Sequence, residues 1–242
     1  MAEAAIPSSP SSATSANGTS ANGAGSAGPK ARPGRTEQGR RQVRSALALA
    51  ALELFAARGF EATTVDEIAE RAGVGRRTFF RYFRSKEDVV FPDHEERLAE
   101  VVRLLENAEA SEPALEVVGR TAEIVLEGYL AEPEVSLRRF ALTRQVPSLR
   151  DKEIASIDRY QRTFARYLQE RFADEPGGGL RASVAAAAIV AAHNHVLRDW
   201  LKSGGTLDAR AALHRALSSV RDAMSVPWGG EGDAAHASSR TR

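Results

Sequence analysis

Residues 54-LFAARGFEATTVDEIAERAGVGRRTFFRYFRSKEDVV-90 read as the end of one helix followed by two short helices and the start of a fourth. Arg58-Gly59-Phe60 closes the first helix, with Gly59 suited to the left-handed position past a helix C-terminus. Thr64 and Glu67 fit the S/T-x-x-E capping box, so a short helix opens there and runs through Ile68 and Ala69 to Arg71. Gly73 supplies a tight turn, and a second short helix covers roughly Gly75 to Phe83. Ser85 is placed to cap a fourth helix beginning at Lys86, which Pro92 kinks or splits. Two short helices joined through 69-AERAG-73, with a small residue where they approach, are the sequence form of a helix-turn-helix.

The second of these helices carries the chemistry. Arg76, Arg77, Thr78 and Arg81 lie on its N-terminal and outward side. Arginine bonds bidentately to guanine in the major groove, and Thr78 suits a thymine methyl or a phosphate. Phe79 and Phe83, four apart, point into a small core, whereas Tyr82 offers its hydroxyl to a phosphate. Lys86, read as part of a helix first turn, adds a cation where backbone N–H groups already favour phosphate. From Lys30 to Val90 there are thirteen Lys and Arg against eight Asp and Glu, a net +5, while the whole chain carries only +1. The remainder is therefore net acidic, and the asymmetry is an electrostatic footprint for nucleic acid. A charge run alone would read as a solvated helix face. The capping box, Gly73 and the aromatic spacing coincide with it here and make it a DNA-binding surface.

Residues 44–90, with the quoted stretch as their core, resemble the DNA-binding domain of the tetracycline-repressor (TetR) family. The resemblance implies an all-α homodimer: an N-terminal helix-turn-helix domain and a C-terminal helical domain for dimerisation and for a small-molecule effector. It implies DNA contacts at Thr64, Arg76, Arg77, Thr78, Phe80, Arg81, Tyr82 and Lys86. Many members carry Leu-Tyr where this chain has Phe79-Phe80, so a phosphate-bonding hydroxyl is lost at position 80. Phe80 is left to touch a thymine methyl or a sugar. The implied function is a cytoplasmic, ligand-responsive repressor that binds a palindromic double-stranded operator and is released by its effector. The alternative is an architectural or activating DNA-binding protein without an effector. The recognition-helix wording 75-GRRTFFRYF-83 further resembles a subgroup of actinobacterial members, some of which respond to acyl-coenzyme A thioesters, making acyl-CoA one effector candidate.

Outward from this unit the chain divides into four parts. Residues 1–36 are almost entirely Ala, Ser, Gly, Pro, Thr and Asn and are expected to be disordered, ending in a basic arm of Lys30, Arg32 and Arg35. Residues 37–90 form the DNA-binding domain, 91–226 the helical effector-binding and dimerisation domain, and 227–242 a polar tail. Helices are expected at about 38–57, 113–131, 133–145, 148–173, 180–202 and 208–224, with 177-GGG-179 and Gly204-Gly205 as breaks. The most apolar run, 182-ASVAAAAIVAA-192, falls short of the roughly 18–20 residues of a membrane span and reads as a buried helix.

The chain contains no cysteine, which excludes disulfides, thiolate metal sites and cysteine nucleophiles. No phosphate loop, nucleophile elbow, zinc motif or cofactor fingerprint is present, so no enzyme activity, cofactor or metal is expected. His193 and His195 point roughly 200° apart on a helix and cannot chelate one ion; His195 is instead spaced to pair with Asp199. The last two helices carry apolar stripes, including Ile189 and Val196 on one and Leu213, Leu217 and Val220 on the other, which suit a four-helix dimer interface. Phe140, Arg144, Tyr160, Phe164, Tyr167 and Trp200 are the candidates for lining an effector cavity.

Overall fold

The computed structural model describes residues 37–225, all helix and turn with no strand among them. The basic arm with Arg35 and the tail from 227 lie outside the described residues. Three helices form the first unit: α1 (Glu37–Arg58), α2 (Val65–Arg71) and α3 (Arg76–Tyr82). Leu47, Ala51 and Phe55 on one face of α1 meet Phe60, Ile68, Phe79, Phe83, Val89 and Val90 in a shared core. Phe79 is fully buried, a placement that contributes roughly 1.5–3 kcal/mol.

The capping box is formed in both directions. The Glu67 N–H donates to Thr64 Oγ1 at 3.3 Å, and the Thr64 N–H donates to Glu67 Oε2 at 2.8 Å. These hydrogen bonds from Thr64, with Arg58 2.6 Å away, hold the Glu67 carboxyl below its ordinary range. Gly59 and Gly73 sit at φ 84° and 69°, where a side chain would be strained.

The segment after α3 departs from the expected fourth helix. Asp88–Val90 form a single 3-10 turn, and α4 begins only at His94 and runs to Glu106. Ser85 does accept from the Asp88 N–H at 3.4 Å, and the Asp88 carboxylate accepts from the Arg84 N–H at 3.0 Å. Pro92 supplies no N–H, so the helix cannot continue through it and restarts beyond. Lys86 consequently lies in a turn rather than in a helix first turn.

Helices α5 (Ala114–Leu130), α6 (Pro133–Gln145), α7 (Pro147–Arg171), α8 (Gly178–Lys202) and α9 (Ala209–Met224) complete the chain. Of the three consecutive glycines only Gly177 breaks the helix, at φ 72°; Gly178 and Gly179 already belong to α8. By length and apolarity α8 as a whole would pass for a membrane span. Instead it is the central core helix, burying Ala182, Ala185, Ile189, Val196 and Trp200 among α5, α7 and α9.

The join between α6 and α7 belongs to the other unit. Val146 and Leu149 are buried in the core beneath α3, with Leu142 packed against it. Ion pairs Arg44–Glu96 and Lys152–Asp88 cross the same boundary. The α6–α7 join therefore reaches from the C-terminal bundle into the core shared by α1, α2 and α3.

Candidate nucleic-acid interface and internal cavity

Helix α3 buries Phe79 and turns its other face outward. Arg77, Thr78, Phe80 and Arg81 surround one shallow surface depression. Phe80 is 45% exposed, a large ring left in water beside three polar neighbours. Arg76 is pre-oriented by a 2.6 Å pair with Asp66 and by its guanidinium lying 5.2 Å from the Phe80 ring centre. Arg77 has no hydrogen-bond or ion-pair partner among the described residues and is fully available. Arg81 lies 5.1 Å from the Tyr82 ring. Thr64 is exposed at the start of α2, its side chain engaged in the capping box.

Lys86 is placed differently from the expectation. Its ammonium donates to the Phe60 carbonyl at 2.7 Å and the Thr63 carbonyl at 3.1 Å, and lies 4.3 Å from the Phe60 ring centre. It braces the loop before α2.

The second feature is a cavity of about 70 Å³ between α4, α5, α6, α7 and α8. Phe140, Tyr160 and Phe164 line it, as the sequence suggested. Arg144, Tyr167 and Trp200 do not. Arg144 is exposed at the end of α6, 5.7 Å from the outer side of Phe140. The Tyr167 hydroxyl accepts from Arg171 at 2.7 Å, and Trp200 is 4% exposed in the bundle core.

The cavity's polar lining was missed: His94, Tyr129, Arg139, Thr143, Glu153, His193 and Asn194 all border it. The signal available was a charged residue on an apolar helix face, since Arg139 shares its side of α6 with Ser136 and Thr143, both buried. Burial lowers the Arg139 guanidinium from its ordinary value and raises the Glu153 carboxyl. Burial also pushes His193 down to about 4, and burial with the nearby Arg139 pushes His94 down to about 3, so both are neutral at physiological pH. His94 stacks on Phe91, ring centres 4.7 Å apart. This pair, with Ser156, separates the cavity from a surface groove lined by Arg44, Arg81, Tyr82, Arg84 and Arg159.

The expected dimer stripes require a correction. Ile189, Val196, Leu213 and Leu217 are 1%, 5%, 0% and 4% exposed, all inside the subunit's own core. The regular spacing makes α8 and α9 face each other and α5, leaving these residues nothing to offer a partner; Val220 is half-buried at the edge. The apolar side chains that do face outward on α8 are Leu180, 64% exposed, and Val184, 37% exposed, followed by Ala191. His195 pairs with Asp199 at 3.3 Å, and no group of three metal-ligating side chains occurs among the described residues.

Comparison with known proteins adds a family to this geometry. Residues 48–91 match the family model described as bacterial regulatory proteins, tetR family, and residues 112–225 match the MftR C-terminal domain. The HTH-type transcriptional regulator TcmR of Streptomyces glaucescens is 31% identical over 206 residues, covering 81% of this chain and 90% of its own length. MftR of Mycobacterium tuberculosis, named as a mycofactocin biosynthesis transcriptional regulator, is 29% identical over 173 residues, covering 69% of this chain and 87% of its own. Among solved structures, a TetR-family transcriptional regulator from Syntrophomonas wolfei has a TM-score of 0.58 at 18% identity, covering 77% of this chain and 96% of that one. The transcriptional regulator FadR from Bacillus subtilis, in complex with stearoyl-CoA, has a TM-score of 0.52 at 20% identity, covering 73% and 96%. At those identities the two structures share the fold alone.

Proposed function

Because the chain belongs to the TetR family of bacterial regulatory proteins and is a DNA-binding transcriptional regulator rather than an enzyme, we propose that it works as a cytoplasmic homodimeric repressor. In this reading Arg76, Arg77, Thr78, Phe80, Arg81 and Tyr82 face the operator, with Thr64 beside them, and Arg35 supplies a further phosphate contact. Lys86 acts indirectly, by holding the loop that presents Thr64. Dimerisation uses the outward face of α8 around Leu180, Val184 and Ala191, extended by Val220 of α9. A two-fold dimer of this kind reads two half-sites only when its recognition helices match successive major grooves, about 34–36 Å apart or a longer groove-matched span.

One observation carries the reading of a ligand-responsive switch. Helices α6 and α7 line the cavity with Arg139, Phe140, Ile157 and Tyr160, and between those residues they place Val146 and Leu149 in the core beneath α3. The cavity, at about 70 Å³, is smaller than the roughly 150 Å³ that accepts a benzene ring. Any ring-sized or longer ligand must therefore move a wall. The walls able to move are α6–α7 and the Phe91–His94 pair next to Pro92, and both are continuous with the helix-turn-helix. Cavity occupancy and operator spacing are then two readouts of one equilibrium, with a coupling of about 1–3 kcal/mol typical of such systems.

The test is to select the preferred duplex from a random library and titrate it, with and without candidate ligands, by fluorescence anisotropy. The expected result is a palindromic site whose affinity falls about 5–150-fold on saturation with an effector. By linkage the effector binds the DNA-bound form more weakly by the same factor. An effector that binds free and operator-bound protein equally would sink the scheme, and ligand-independent DNA binding throughout would favour the architectural alternative.

A further inference from the structure

Five buried side-chain polar atoms among the described residues lack a hydrogen-bond partner: Arg44 Nε, Arg139 Nε, Tyr160 OH, Arg181 Nε and His193 Nε2. Two of these are remnants of satisfied groups, because Arg44 pairs with Glu96 and Arg181 with Glu175. The other three all belong to residues lining the cavity between α4, α5, α6, α7 and α8. Arg139 is the anomaly. It is 9% exposed, and no carboxylate among the described residues lies within ion-pair distance of it. A buried guanidinium left unpaired is expensive, and folds do not retain one without a partner. Here the space it faces is empty of protein.

The other two atoms define the rest of the partner. His193 Nδ1 lies 3.4 Å from the Asn194 side-chain oxygen; in the tautomer that carries its hydrogen on Nδ1 the ring donates there, and Nε2 is then an acceptor. The Tyr160 hydroxyl is buried and holds its proton, so it can donate to an anion. Glu153, the carboxylate on the cavity wall, is answered by Arg198 and Arg150 rather than by Arg139. The remaining surface is apolar, with Val125, Phe140, Ile157 and Leu197 among it.

Resting on the reading of this cavity as the effector site, we propose that the effector is a compact, largely apolar acid, a carboxylate or acidic phenol. Its anion sits on Arg139 with Tyr160 donating to it, and a hydroxyl elsewhere on the ligand donates to His193 Nε2. The arrangement discriminates against a coenzyme A thioester. A thioester carbonyl is neutral and leaves Arg139 unpaired, and among mainly apolar side chains the lining offers the phosphate-bearing head group a single buried arginine.

The experiment titrates full-length protein calorimetrically with three matched pairs at pH 7.5. The pairs are 4-hydroxybenzoate with 4-hydroxybenzamide, 6-hydroxy-2-naphthoate with its carboxamide, and decanoate with decanoyl-CoA. At least one acid should bind at least about tenfold more tightly than its neutral partner, the scale of a charge-assisted hydrogen bond. In Arg139→Met that preference should shrink to within about threefold, the scale left by neutral contacts alone. Should Arg139→Met not fold, Tyr160→Phe carries the test, weakening acids about 3–10-fold and their amides less. Equal affinity for acids and amides, an acid preference that survives Arg139→Met, tighter binding of decanoyl-CoA than decanoate, or no binding by any acid each overturns the proposal. Acids that bind as expected without shifting operator affinity leave this inference standing and defeat the effector-release reading. Operator release by a neutral probe alone does the reverse.

Discussion

Replacing Arg139 by methionine should make the ligand-free protein more stable, although the change deletes a charged side chain from a packed interior. Arg139 is 9% exposed, its Nε has no partner, and burial disfavours its charge. Methionine keeps much of the aliphatic stem while removing the desolvated cation. Exchanging a buried ion pair or triad for apolar side chains of similar volume is often neutral or stabilising by roughly 1–4 kcal/mol. Arg139 has no ion pair to lose, only the longer-range attraction of Asp93 and Glu132, and so falls within that range. For a chain of this length each kcal/mol moves the melting temperature by about 2–4 °C, so a rise of about 2–16 °C follows. The assay is thermal unfolding by circular dichroism at matched protein concentration, because the proposed dimerisation would make melting temperatures concentration-dependent. A fall of several degrees would refute the reasoning, since it would mean that the guanidinium serves the fold rather than a ligand.

Three further outcomes follow from the same structure. Arg77→Ala should cost about 1–3 kcal/mol at the operator and relax base preference at one position, whereas Asp66→Ala, which only frees Arg76 from a 2.6 Å pair, should change affinity far less; unchanged anisotropy titrations for Arg77→Ala would remove it as a base reader. Gly178→Ala would place a Cβ 2.0 Å from the Phe172 carbonyl oxygen, while Gly179→Ala meets nothing within 4 Å, so melting should drop for the first by about 1–3 kcal/mol equivalent and hold or rise for the second; equal melting would mean the α7–α8 join is looser than described. His193 and His94, lowered from 6.5 to about 4 and about 3, take up protons on unfolding before they do so when folded. Their stabilisation is complete above about pH 6.5 and is lost as pH falls, at up to about 1.4 kcal/mol per pH unit for each group; urea midpoints that stay constant from pH 7.5 to 5 would show that they are not buried neutral.

The helix-turn-helix was legible because its determinants are local. Thr64 and Glu67, Gly59 and Gly73, and the Phe79–Phe83 spacing each fix geometry within a turn or two, and each recurs in the structure where the sequence put it. The expectation faltered where locality ends. Ser85 does cap a turn, but Pro92 decides that the turn is not a helix, and Lys86 finds its carbonyl partners at Phe60 and Thr63, more than twenty residues away. The stripes on α8 and α9 were read correctly as apolar. Periodicity says that a face is buried without saying against what, and Ile189, Val196, Leu213 and Leu217 are buried against their own subunit.

The polar lining of the cavity shows a different limit. Hydrophobic patterning ranks residues by how willingly they leave water, so an arginine on an apolar face registers only as an imperfection of the face. Whether Arg139 is a satisfied ion-pair member or a waiting ligand site depends on what four other helices place opposite it. The same test separates it from Arg44 and Arg181, which are half-buried and end on Glu96 and Glu175. Packing alone would favour an apolar residue at 139, as the expected stabilisation of Arg139→Met expresses. A position where the fold keeps the less stable choice, on the element that joins the cavity to the floor of the DNA-reading helix, is where a ligand's charge has the most leverage on the equilibrium.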